Sequence, residues 1–98
     1  MKPDYEVITK SWNGIEIEIR WARNYIYYDD ETTMSHIEVE SLSPRRAPLP
    51  ITETGYKSHF INEFAVDRMG GPEGYVDAWL WEASHSANWQ YNKQLSLF

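Results

Sequence analysis

Apolar and polar residues alternate along Ile15-Glu16-Ile17-Glu18-Ile19-Arg20-Trp21, the period of a strand with one face buried. The run before it, Tyr5-Glu6-Val7-Ile8-Thr9-Lys10-Ser11-Trp12, stops at Asn13-Gly14. Asn-Gly accepts the positive φ angles of a type I′ turn, so the two runs are predicted to pair as a hairpin. A third run, Tyr25-Ile26-Tyr27-Tyr28, ends at the polar cluster Asp29-Asp30-Glu31-Thr32-Thr33. A fourth alternates through Ile37 and Val39 among His36, Glu38 and Glu40, with Met34 at the wrong parity. Together they predict a four-stranded antiparallel meander whose Ile and Val side chains lie on a covered face.

Ser43-Pro44-Arg45-Arg46-Ala47-Pro48-Leu49-Pro50 interrupts this pattern, because proline removes ladder donors and favours extended backbone. The prolines never form Pro-x-x-Pro, so the segment is expected to be a rigid crossover and not an SH3 ligand. Tyr56-Lys57-Ser58-His59-Phe60-Ile61 is a candidate short edge strand. Beyond it the period changes. Asn62 can cap a helix over Glu63–Met69, with Gly70 as its left-handed stop. Pro72 suits a first helical position, and Glu73 suits the first turn. Val76, Trp79, Leu80 and Ala83 then form one apolar stripe expected to cover the sheet. The predicted fold is α+β, a small antiparallel meander over about residues 5–42 under helices from about 62 to 90. One domain over residues 1–90 is expected, followed by a tail over 91–98.

The 98 residues suffice for a single core, and 42% hydrophobic with 24% charged is ordinary for a folded soluble domain. There is no cysteine, which removes disulfides, thiol nucleophiles and cysteine metal sites. No stretch approaches the apolar length of a membrane span, and Met1–Glu6 lacks the layout of a secretory signal, so a cytoplasmic location is expected. The net charge is −6. Residues 1–44 hold nine acids and four bases, and residues 45–98 hold six and five. Without a basic stripe, direct nucleic-acid binding is not expected.

Sites of chemistry are hard to assemble from the remaining residues. His36, His59 and His85 share no compact ligand spacing, so no metal site is expected. Ser58-His59 and Ser84-His85 are sequence neighbours whose side chains diverge on a strand or a helix. Gly70-Gly71-Pro72 is not a phosphate loop. No catalytic set and no cofactor follow. A small hydrolase or metal protein built on His59 and nearby acids would need the histidines to converge. Glu16, Glu18, Glu38 and Glu40 can share a sheet face and, with Asp29-Asp30-Glu31, imitate DNA phosphates. A plain solvated face accounts for the same residues. Trp79, Trp81 and Trp89 read as packing residues, although Trp81 lies off the stripe and would mark a contact surface if exposed.

Gln94-Leu95-Ser96-Leu97-Phe98 has a different character, with two adjacent apolar side chains where the sequence ends. The five residues resemble the Gln-Leu-Ser/Asp-Leu-Phe peptide by which bacterial polymerases, repair proteins and plasmid replication initiators bind the β sliding clamp. All five positions match. The resemblance implies that Leu97 and Phe98 fill the clamp's hydrophobic cleft, Gln94 hydrogen-bonds in a small polar pocket, Leu95 adds packing and Ser96 accommodates the bend. Packing of the same residues onto their own domain is the competing expectation. The stretch from Pro44 to Phe60, with Gly70-Gly71-Pro72 and Ala78-Trp79-Leu80, is similar to small uncharacterised proteins of proteobacterial chromosomes, plasmids and phages. The expected function is therefore a non-enzymatic protein that docks on the sliding clamp and modulates replication or repair. An acidic DNA mimic that inhibits a DNA-binding protein is the alternative.

Overall fold

A computed structural model describes residues 5–28, 33–86 and 89. Four strands form one antiparallel sheet in the order β1-β2-β3-β4: β1 (Glu6–Trp12), β2 (Ile15–Tyr27), β3 (Thr33–Ser43) and β4 (Tyr56–Ile61). Two helices follow, α1 (Glu63–Arg68) and α2 (Gly71–Ser84). The α+β architecture is thus the expected one.

The hairpin between β1 and β2 turns on Asn13 and Gly14, at φ 47° and 80°, the positive pair that a type I′ turn needs. The makeup of the meander differs from the expectation. Residues 15–21 and 25–28 are not separate strands, because β2 runs unbroken from Ile15 to Tyr27. Ala22-Arg23-Asn24 contains no glycine or proline to turn the chain, and the ladder absorbs the change of pattern as a register shift between Ala22 and Ile26. The fourth strand is instead the candidate edge strand, β4, with Ile37 opposite His59 and His36 opposite Phe60.

Register assigns the two faces. Ile8 faces Ile19 across the first ladder, and Ile19 faces Val39 across the second, so these side chains share one face. On it Ile17, Ile19, Trp21, Ile37 and Val39 are buried beneath Val66 of α1 and Val76 and Leu80 of α2. The predicted stripe of α2 is therefore the one that meets the sheet, while Trp81, off the stripe, is 66% exposed. Two serines interrupt the buried row of β3, and both are satisfied: Ser35 donates to the carbonyl of Ile61, and Ser41 donates to that of Ala47 at 2.7 Å.

Charges at the sheet margin hold the helices in place. Asn62 Oδ1 accepts from the Phe64 amide at 2.8 Å, the expected cap of α1. Arg23 lies over the Trp21 ring and reaches both carboxylate oxygens of Asp67, at 2.8 and 2.9 Å. Lys10 projects from β1 to Glu73 and Asp77 of α2.

Backbone hydrogen bonds tie the proline-rich crossover to the sheet end and to itself. The Ser41 amide donates to the Gly55 carbonyl at 2.8 Å, the Arg46 amide returns to the Ser41 carbonyl at 3.2 Å, and Leu49 and Thr52 exchange backbone hydrogen bonds. Leu49 is driven into the core by this arrangement. At Gly55, with φ of 77°, a Cβ would fall 2.5 Å from the Arg46 carbonyl carbon. Backbone cannot yield as a side-chain tip does, so Gly55→Ala combines left-handed strain with a clash. A loss of about 2 kcal/mol is expected, read as a lower denaturation midpoint in urea with unchanged slope.

Candidate interaction surfaces

Among the described residues, α1 and α2 cover one face of the sheet and leave the other open. Glu18 lies opposite Glu40, Arg20 opposite Glu38, and Glu16 opposite Ser43, so the four glutamates expected to share a face do so. The face is not purely acidic, because Arg20 has the same parity. Its guanidinium bonds Glu18, reaches Glu40 at 3.2 Å and Glu38 at 3.3 Å, and Arg46 approaches Glu40 at 3.6 Å. Burial alone would weaken the Arg20 charge, but the hydrogen-bonded carboxylates raise its pKa instead. Asp29-Asp30-Glu31, which completed the phosphate-like pattern, lie outside the described residues.

Glu38 is the best-connected carboxylate. Tyr56 donates to it at 2.6 Å, and His36 Nδ1 stands 4.0 Å away. Burial works against its ionised form, yet the bonds from Tyr56 and Arg20 outweigh that cost and hold the carboxyl below its ordinary value. A depressed folded-state pKa gives stability that is complete above the unfolded value of 4.5 and fades as pH falls through the folded one. Glu38→Gln is expected to flatten the acid side of the stability curve in this window, measured as the melting temperature at successive pH values. Tyr56 moves the opposite way, its hydroxyl pushed up chiefly by the bond to Glu38.

Next to this network is a group of rings that the alternation along the chain does not foreshadow. His36 packs against Tyr25 and Phe60 with centroids 4.8 Å from each, and Tyr25 and Phe60 lie 5.6 Å apart. Tyr5 joins from the start of β1, its hydroxyl 2.9 Å from His36 Nδ1. Burial, helped by Glu38 and Tyr25, pushes the Tyr5 hydroxyl up to about 12. Ala22, directly opposite His36, is completely buried although neither α1 nor α2 covers this face, as expected for a methyl group beneath packed rings. The outer surface of the group is open: Phe60 is 52% and Tyr25 39% exposed, and Val7, opposite Arg20, is 57% exposed.

The three histidines do not converge. His36 belongs to the open face, whereas His59 lies on the covered one, bonded to the Tyr75 hydroxyl at 3.1 Å and packed on Trp79. Burial lowers the pKa of His59. His85 caps the far end of α2, beside Trp81. Among the described residues no group of three or more His, Cys, Asp or Glu side chains is placed to hold a metal ion. Among them, too, no helix is long and apolar enough to cross a membrane.

Gln94, Leu95, Ser96, Leu97 and Phe98 lie outside the described residues. Trp89 is described, with its ring 6.1 Å from that of Trp12 on β1. No curated protein and no solved structure matches the chain. Residues 5–89 match the family model of the KlcB third domain, which spans all four strands and both helices, and the chain therefore belongs to the KlcB third-domain family.

Proposed function

We propose that the protein is a non-enzymatic interaction module that docks on the bacterial DNA sliding clamp through Gln94-Leu95-Ser96-Leu97-Phe98 and so modulates replication or repair. The observation that carries this reading is the match of all five residues to the clamp-binding pattern. The family match ends at residue 89, before the peptide begins, so the pentapeptide is not accounted for by the family's own fold. Membership in a family named for KlcB fits the plasmid association expected from the sequence. The cytoplasm, where a clamp operates, is the location this reading requires.

In this account Leu97 and Phe98 are the anchors, Gln94 supplies a directional hydrogen bond, and Leu95 and Ser96 shape the path. A short segment that must become ordered on binding spends much of its contact energy on that ordering, so affinity in the micromolar range is expected. The test is a titration of purified clamp with the intact chain and with Leu97→Ala/Phe98→Ala. Binding by the first and not by the second supports the reading, and equal binding, or none by either, overturns it. The DNA-mimic alternative has less support, because Arg20 stands inside the group of glutamates that would have to resemble phosphates.

A further inference from the structure

We propose that the open face of the sheet is a second docking surface, built for a basic protein segment, with an arginine or lysine side chain settling on the rings of Tyr25, His36 and Phe60. Three features lead to that occupant. The rings form one continuous group, with every neighbouring pair of centroids within 5.6 Å, and two of them are substantially exposed on a face that neither α1 nor α2 covers. A cation over an aromatic face gains from the ring quadrupole, more so where water is partly excluded. The charge beside the rings has the complementary sign. Among the described residues of the face, Glu16, Glu18, Glu38 and Glu40 are accompanied by Arg20 and Arg46, two carboxylates more than guanidinium groups.

That excess also discriminates among occupants. A second copy of the chain would bring like charge against like charge, and a nucleic acid would bring phosphates against carboxylates. A purely apolar partner would satisfy the rings but strand the Glu18–Arg20–Glu40 network away from water. A basic segment meets both halves of the surface. Rings fixed by mutual packing and by the Tyr5–His36 hydrogen bond need little ordering on binding. The proposal does not rest on the Gln94–Phe98 peptide.

Labelled oligoarginine and its oligocitrulline counterpart, titrated against the full chain by fluorescence anisotropy, supply the test. Because any acidic protein attracts oligoarginine, the deciding variants leave the charge unchanged. Phe60→Ser and Tyr25→Ser, checked by thermal melting, are each expected to weaken oligoarginine binding about tenfold. Deletion of residues 94–98 is expected to leave it unchanged, which separates this surface from the clamp peptide. In the unaltered protein, amide shifts on adding oligoarginine are expected to centre on Val7, His36, Ser58 and Phe60. Equal binding of oligocitrulline, undiminished binding by both serine variants, or shifts centred on Glu73, Asp77 and Glu82 of α2 would each overturn the proposal. So would ring-dependent dimerisation in sedimentation.

Discussion

Replacing Leu97 and Phe98 together by alanine is expected to reduce affinity for the sliding clamp by at least about a hundredfold while leaving the melting temperature unchanged. Each side chain surrenders roughly 1.5–3 kcal/mol of apolar transfer energy when it no longer enters a cleft, and 1.4 kcal/mol is a factor of ten. For a micromolar complex the pair leaves too little to detect at ordinary concentrations. Gln94→Ala is expected to cost less, because a single neutral hydrogen bond contributes about 1 kcal/mol net. The ordering matters as much as the size. A surface that held the clamp by charge would weaken steadily with salt and ignore the two anchors, whereas apolar anchoring is largely insensitive to salt.

Leu80→Ala is expected to destabilise the domain by about 3 kcal/mol, whereas Trp81→Ala, one residue further along the same helix, changes stability by no more than about 0.5 kcal/mol. Leu80 is completely buried and belongs to the cluster that joins α2 to Ile17, Ile19 and Val39. Trp81 points away from it. Removing the leucine leaves both the lost transfer energy and a cavity, since a sheet tied to α2 by Lys10 and to α1 by Arg23 cannot close the gap freely. Domains of this size are only about 5–15 kcal/mol stable, so the substitution consumes a large share of the margin. Urea denaturation of the two variants side by side checks the contrast. A tryptophan variant as unstable as the leucine variant would mean that the helix is docked through a different face.

The contrast between Leu80 and Trp81 is legible in the amino-acid sequence, and so are the other features that depend on near neighbours. The stripe Val76-Trp79-Leu80-Ala83, the Asn13-Gly14 turn and the Asn62 cap are local patterns. Each follows from side-chain period or backbone preference within a few residues, and each is found in place. The strand ends before Asp29-Asp30-Glu31 as expected, but the break expected within β2 is absent, although the change of parity near Ala22 looks like the end of a strand. A register shift can absorb the change with no turn residue at all, and single-sequence pattern has no mark for it. The ring group is hidden for the same reason. Tyr25 lies within that shift, where counting parity from Ile15 no longer tells which face it joins. Phe60 sits in a strand without clean alternation, and only its pairing with His36 assigns it. Arg20 among the glutamates, by contrast, is visible in the alternation Glu16-Glu18-Arg20, and it is the weight of a guanidinium between three carboxylates that needs geometry.

The most direct measurement is competition for the clamp. The intact chain, bound to clamp at micromolar concentration, is challenged with the free peptide Gln-Leu-Ser-Leu-Phe and with a scrambled peptide of the same composition. Complete displacement by the first and none by the second is the predicted result. A chain that never binds, or one that stays bound at saturating peptide, would show that these five residues are not what the clamp receives.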